Sequence, residues 1–342
     1  AYAIWQYWII TQDDEFLFDY GAEIIIETAR FGAGILKQGN DGYYHIPNVV
    51  GPDEYHELVD DNAFTNIMVA HNIEVCLNVL NVMQEKAPEK FKSLMGKLSL
   101  TEDEISYWKK LQNKIYTGYD AETGIYEQFK GYFNLEDIKV ADYEPRNTAM
   151  DIILGREKTR KSKVIKQADV LMFMFLLKEK FSIETIAKNY EYYEPKTGHG
   201  SSLSPSIHSI IASWIGKKQD AYKYFVQNAM IDLGNNMGNA SGGIHIASIG
   251  GTWMAVVFGF AGVHATAEGL EICPDLPDKW ENVKFSLIFR GQKLDFSINH
   301  SVISIKNSGN IPVPVKLGKE EYKELLANRE YQGIKHDNWK WK

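Results

Sequence analysis

A mainly α-helical domain followed by a small antiparallel β unit is the fold class that this sequence predicts. Apolar residues recur at helical spacing from the start of the chain to about Val263. The segments between them are long and rich in Gly, Asn, Tyr and Asp. After Ile272 the period switches to two, in the manner of half-buried strands.

The first amphipathic helix follows Asp13 and Asp14, with Phe16, Tyr20, Ile24, Ala29 and Ile35 as its apolar face. A second is expected over Asn62 to Gln84, and a third over Thr101 to Ile115, entered by a Thr101/Glu104 capping box. Ser162 to Lys178, Ser182 to Asn189, Ser204 to Ile215, Asp220 to Leu233 and Gly251 to Val263 complete the helical series. Loops at 36–61, 116–161, 190–203 and 234–250 exceed ordinary connections, and loops of that length usually carry function. In the last part, "ICPDLPDKW" breaks the helical pattern. Val283, Phe285, Leu287 and Phe289 then alternate with polar residues, as do Leu294, Phe296 and Ile298 after a Gly291-Gln292 turn. The polar closing stretch from Lys319 reads as a surface helix and tail. These patterns give two domains, 1–271 and 272–342.

The 342 residues, 44% hydrophobic and 24% charged, are ordinary globular material. A net charge of -8 argues against nucleic acid as a partner, because such binders present a basic face. Cys76 and Cys273 are too few for a disulfide framework and have no zinc spacing, so both read as buried thiols. The opening "AYAIWQYWII" lacks a basic leader, a cleavage site and the length to span a bilayer, which suggests a cytoplasmic protein with no membrane partner. Starting on Ala within an apolar run, the chain is expected to be a piece of something longer.

Four loop segments concentrate chemistry. In "NVVGPDEYHELVDDNAFTN", Glu54 stands beside Asp53 in a Gly-Pro turn, where a like charge and partial burial favour a proton-holding carboxyl able to act as general acid. The alternative is a pair of helix-entry acids. In "YYEPKTGHGSSLSPSIHS", Ser201, Ser202 and Ser204 bring hydroxyls and N–H groups towards a helix start suited to an anion, with His199 and His208 as further donors. A Ser204 N-cap with Pro205 at N1 accounts for part of that pattern. "GNASGGIHIASIGGTW" places His245 among glycines that permit close backbone approach, either to a ligand or to a neighbouring helix. Lys166 and Gln167 precede a strongly apolar helix, where a sugar's hydroxyls would satisfy them or the lysine would simply snorkel.

Together, "GPDEYHELVDDNAFTN", "KQADV", "TGHGSSLSPSIHS" and "GGIHIASIGGTWMAVVFGFAG" resemble, in this order, motifs of the glycoside hydrolase family 65 disaccharide phosphorylases of kojibiose, maltose and trehalose type. "DDEFLFDYGAEIIIETARF" and "LIFRGQKLDFSI" resemble flanking family segments, so the likeness extends to about Gly318. The resemblance implies the C-terminal part of an (α/α)6 barrel followed by a small antiparallel β domain. It also implies inverting phosphorolysis of an α-glucosidic disaccharide to β-glucose 1-phosphate and a free acceptor sugar. Glu54 matches the general acid, Lys166 and Gln167 the residues that bind glucose hydroxyls, and Ser201, Ser202 and His245 the phosphate-holding positions; Asp53 and Tyr55 take supporting roles. Inorganic phosphate is a co-substrate, and neither metal nor organic cofactor is implied. The family's "FWD" segment has no counterpart here, so a missing N-terminal half is the expected partner, within a homodimer. Alternatives are an inverting α-glucoside hydrolase, with Glu194 as its candidate base, and a noncatalytic carbohydrate-binding fragment.

Overall fold

The computed structural model describes every residue from Ala1 to Lys342 except Asn147. The chain divides into two compact units, one made of Ala1–Trp8 with Asp13–Gly200, the other of Ile9–Gln12 with Ser201–Lys342. Helix α1 (Tyr2–Thr11), formed by the apolar opening, supplies residues to each.

In the first unit, Asp13 caps a helical run by accepting the Phe16 N–H at 2.9 Å. The run continues through Asp14–Phe16 and a π turn, Leu17–Gly21, into α2 (Ala22–Ile35). Its inward face is not the expected one. Leu17, Ala22, Ile25, Ile26, Ala29 and Ala33 are buried, whereas Tyr20 and Ile24 are 65% and 48% exposed. The π turn closes an i→i+5 bond, Ala22 N–H on Leu17 O, and so holds one residue more than an α turn, which rotates the face by one residue from where a regular helix would put it.

Helix α3 (Ala63–Lys86) is capped by Asn62, whose side-chain oxygen accepts Thr65 N–H at 2.9 Å. Its length and apolar character would suit a bilayer span, but burial of Val75, Cys76, Leu77, Val79 and Leu80 marks a helix enclosed on several sides. Helix α4 (Pro88–Leu98) is an addition to the expected series, with Pro88 in its first turn. Thr101 caps α5 (Glu102–Leu111) through the Glu104 N–H, but the return arm of a capping box is replaced: the Glu104 carboxylate takes the Arg30 guanidinium at 2.7 and 3.0 Å.

The helix expected over Ser162 to Lys178 shortens to α6 (Val170–Leu176). Residues before it are drawn into extended pairing, with Lys163 N–H on Glu136 O at 2.8 Å and Ile165 N–H on Lys196 O at 3.0 Å. Tertiary hydrogen bonds override helical propensity there. Ser182 then caps α7 (Ile183–Tyr193).

The second unit holds α8 (Ser204–Trp214), α9 (Lys218–Ala229) and α10 (Ile246–Met254), the last prolonged by a π turn, Ala255–Phe260. Ser204 lies inside α8, and the cap position falls on Leu203. Strands follow: β1 (Val263–Ala265), β2 (Leu270–Ile272), β3 (Asn282–Phe289), β4 (Gln292–Asn299), β5 (Val302–Asn307), β6 (Val313–Leu317), β7 (Lys323–Leu325), β8 (Arg329–Lys335) and β9 (Trp339–Trp341). A five-stranded antiparallel sheet runs β9-β8-β5-β4-β3, and a four-stranded sheet runs β7-β6-β2-β1 with a parallel β6/β2 pair. The β3/β4 turn sits at Arg290-Gly291, both at positive φ, one residue earlier than expected and in the manner of a type I′ hairpin. Phe285 stacks on Phe296 across that pair at 4.8 Å. The closing stretch forms β7 to β9 in place of the expected surface helix, because strands β5 and β6 offer edges for it to pair with. Cys76 is buried, which pushes its thiol up to about 12, whereas Cys273 is exposed, contrary to expectation.

Candidate active site

The loop before α3 rests on buried polar groups. Asp53 is almost fully buried, and its carboxylate takes His56 Nδ1 at 2.6 Å, Gln128 Nε2 at 3.0 Å, and the N–H groups of Lys166 at 2.8 Å and Tyr55 at 3.3 Å. Four donors compensate the burial of that charge. Its own N–H donates to Asp169 Oδ2 at 3.2 Å. Asp53 is thus turned inward and does not crowd Glu54 as the sequence suggested. Glu54 points the other way, its side chain 58% exposed rather than partly buried, and pairs with the Lys166 ammonium.

Lys166 and Gln167 therefore belong with Glu54. Gln167 donates Nε2–H to Pro52 O at 2.6 Å, and among the described residues its buried Oε1 has no hydrogen-bond partner. A buried amide oxygen left open is costly unless a ligand donates to it. Tyr55 donates its hydroxyl to Asp151 at 3.0 Å, and burial pushes its pKa well up.

Two residues that the sequence reading did not single out complete this cluster. Asn62 uses its oxygen to cap α3 and its nitrogen to contact both Asp169 oxygens, at 3.2 and 3.1 Å. Asp169 is completely buried, and burial first, then the Asp53 charge, pushes its carboxyl up to about 7. Asp169 is thus a carboxyl of the cluster whose hold on a proton burial strengthens. Gly51 approaches both side chains so closely that a Cβ there would lie 2.4 Å from Asn62 and 2.5 Å from Asp169.

In the second unit, Ser201 and Ser202 form the turn leading into α8. Ser201 Oγ accepts Leu203 N–H at 3.2 Å, and Ser201 O accepts Ser204 N–H at 3.2 Å. His245 immediately precedes α10 and is held twice by Asp232, through its N–H at 2.8 Å and its Nδ1 at 2.6 Å. The carboxylate can only accept, so Nδ1 carries the proton and Nε2 faces outward from this contact. The same pair holds the Asp232 carboxyl below its ordinary value. Asp232 was missed because a lone Asp after a helix has no sequence signature.

No hydrogen bond joins Ser201 or Ser202 to His245 among the described residues. Their helices nevertheless cross closely: a Cβ on Gly251 would lie 2.7 Å from Ser206. Ser206 and Gly251 are two and five residues from the starts of α8 and α10, about 3 and 8 Å at the helical rise. The glycine in "SIGGTW" serves a helix crossing, which is one of the two readings left open for that segment. His208 is fully buried within α8 and bonded to Ser204 O at 2.9 Å; burial lowers it to about 4, so it is a neutral core histidine and not a donor to the loop. His199, at φ 46, falls in the first unit. No group of His, Cys, Asp and Glu among the described residues is arranged to hold a metal ion.

Comparison with known proteins covers both segments. Residues 1–254 match the glycosyl hydrolase family 65 central catalytic domain and residues 264–323 the family's C-terminal domain. A kojibiose phosphorylase of Halothermothrix orenii is 43% identical over 89% of this chain and 39% of its own length. An alpha,alpha-trehalose phosphorylase of Thermoanaerobacter brockii is 40% identical over 87% of this chain and 39% of its own. A solved structure from the human microbiome, provisionally described as a kojibiose phosphorylase, superposes with a TM-score of 0.87 at 31% identity, covering 96% of this chain and 45% of that one. The chain thus spans less than half the length of each of these relatives. By its motifs, its helical and sheet architecture and these likenesses, the chain belongs to glycosyl hydrolase family 65.

Proposed function

We propose that this chain carries catalytic machinery for inverting phosphorolysis of an α-glucosidic disaccharide. Glu54 donates a proton to the glycosidic oxygen as the C1–O bond breaks, inorganic phosphate attacks C1 from the opposite face, and β-glucose 1-phosphate leaves with the free acceptor sugar. Phosphate is already an anionic nucleophile, so one carboxylic acid suffices, unlike an inverting hydrolase, which requires a second carboxylate to activate water. Lys166 and Gln167 hold glucosyl hydroxyls; Ser201, Ser202 and His245 hold phosphate, with Nε2 of His245 as the donor. No metal or organic cofactor enters this scheme.

The observation that carries the reading is the position of Glu54, an exposed side chain beside Lys166 on a backbone fixed by the buried Asp53, next to the open Oε1 of Gln167. An exposed acid held in a defined place by buried groups fits a reacting group better than a helix-entry charge. The barrel architecture, with 1–271 as its C-terminal portion and 272–342 as the β domain, and assembly as a homodimer belong to the same proposal. The likeness to kojibiose phosphorylases favours kojibiose among the disaccharides.

The test is to incubate the protein, together with the N-terminal half expected as its partner, with kojibiose, trehalose, maltose and inorganic phosphate and follow the anomeric product by NMR. Appearance of β-glucose 1-phosphate only when phosphate is present is the expected result. Free glucose released at the same rate without phosphate would establish hydrolysis instead.

A further inference from the structure

The Glu54 carboxylate has one side-chain partner among the described residues, Lys166, and the direction in which it projects is therefore set by its backbone. That backbone is held on both sides. The N–H of Asp53, just before Glu54, ends on Asp169 Oδ2 at 3.2 Å; the N–H of Tyr55, just after it, ends on Asp53 Oδ1 at 3.3 Å. The same Asp53 oxygen accepts the Lys166 N–H at 2.8 Å, so the segment bearing the ammonium hangs from the same point. Asp169 in turn meets Asn62, the cap of α3, while standing itself at the start of α6.

Proton placement follows from the partners. His56 Nε2 lies 2.9 Å from Ser162 O, a group that only accepts, so Nε2 carries a hydrogen. Its Nδ1 lies 2.6 Å from Asp53 Oδ2, and a proton must also sit in that contact. Asp53 and His56 thus share a proton in their contact, and Asp169 is a second buried acid of this cluster, facing Asp53, His56 and, from α7, Tyr193. It receives the Asp53 N–H and the Asn62 amide, fewer donors than a buried carboxylate needs.

We propose that Asp169 is the positioning residue for the proton donor: through the Asp53 amide and Asn62 it locks the Pro52–Tyr55 backbone, and with it Glu54 and Lys166, to the starts of α3 and α6. The inference rests on the reading of Glu54 as the acid. Asp169 touches no substrate in this scheme; it acts by fixing geometry, in which a displacement of 1 Å is worth about 10²-fold in rate.

The experiment compares wild type, D169A and D169N by amide hydrogen exchange at Asp53, Tyr55 and Lys166 and by phosphorolysis kinetics. In D169A exchange at these three amides accelerates by about tenfold or more while α8 and α9 stay protected. Its kcat falls by about 10²-fold with KM for phosphate within about twofold. D169N, isosteric with the neutral acid, restores the protection and most of the lost rate, and its kcat lacks the pH dependence near neutrality that Asp169 gives wild type. Unchanged protection and kcat in D169A overturn the proposal, as does an equal loss of kcat and of phosphate affinity. Should D169A fail to fold, D169N decides: an unaltered pH profile overturns the inference. If wild type supplied with the expected N-terminal half proves inert towards disaccharide and phosphate, the functional reading fails, and the exchange data alone judge whether Asp169 holds the loop.

Discussion

Asn62 Nδ2 lies 3.1 Å from Asp169 Oδ2, and the same Asn62 side chain caps α3 through the Thr65 N–H at 2.9 Å. One amide thereby joins the starts of two helices, and the loop carrying Glu54 is tied to the residue at the second start through Asp53. Geometry of this kind separates the contributions of the site residues.

Glu54→Gln is expected to lower turnover of a natural disaccharide by about 10² to 10⁴-fold, the usual worth of a positioned acid. The side chain is exposed, so thermal stability should stay within about 0.5 kcal/mol of wild type. Substrates whose leaving group needs no protonation should recover most of the rate. Steady-state kinetics on both substrate types, with a melting curve, checks all three; undiminished phosphorolysis of the disaccharide would remove Glu54 from its role.

Ser201→Ala combined with Ser202→Ala should raise the KM for phosphate strongly and leave sugar binding without phosphate nearly unchanged. Calorimetric titration of the sugar beside phosphate kinetics is the measurement. Equal losses of sugar and phosphate affinity would indicate a collapsed loop.

Asp232→Ala removes the acceptor for both the Nδ1–H and the backbone N–H of His245. Freed from that clamp, the imidazole no longer presents Nε2 in a fixed direction. Phosphate affinity should fall by about tenfold to a hundredfold, matching the roughly 1.5–3 kcal/mol of a charged hydrogen bond. The effect should be absent from sugar binding, and an unaltered phosphate KM would show that Asp232 does not orient His245 for phosphate.

Stability should carry the signature of Asp169. Its folded pKa of about 7 exceeds the ordinary 3.8, so between these values the unfolded chain has released the proton and the folded chain still holds it. Stability from this group is greatest below about 4, declines as pH rises towards 7, and levels off above it. The gap converts to roughly 4 kcal/mol at most. Asp169→Asn lacks this decline, so denaturant melts of the two proteins between pH 4 and 8 should diverge in favour of the variant as pH rises. Parallel curves would place the Asp169 proton elsewhere.

Much of this molecule is written in local pattern. Asn62, Thr101 and Ser182 cap helices as their positions before apolar runs indicate, and the alternation from Val283 to Ile298 forms the expected hairpin. Pro88, Glu89, Phe91 and Leu94 carried the signal for α4 as well, a legible helix that was passed over. The four motif segments, read together, identified the family. Tertiary structure decided the rest, wherever a local preference met a stronger distant partner. The π turn at Leu17–Gly21 chose which face of the first long helix is buried, and the edges of β5 and β6 turned a helix-like tail into strands. The division of labour between neighbouring acids was decided the same way. Sequence places Asp53 and Glu54 side by side as equals; burial against His56 and Gln128 turns one inward, exposure beside Lys166 leaves the other outward, and Asp169, 116 residues from Asp53 along the chain, becomes the group that holds a proton. Desolvation and charge proximity act through space, and only the folded chain fixes those distances.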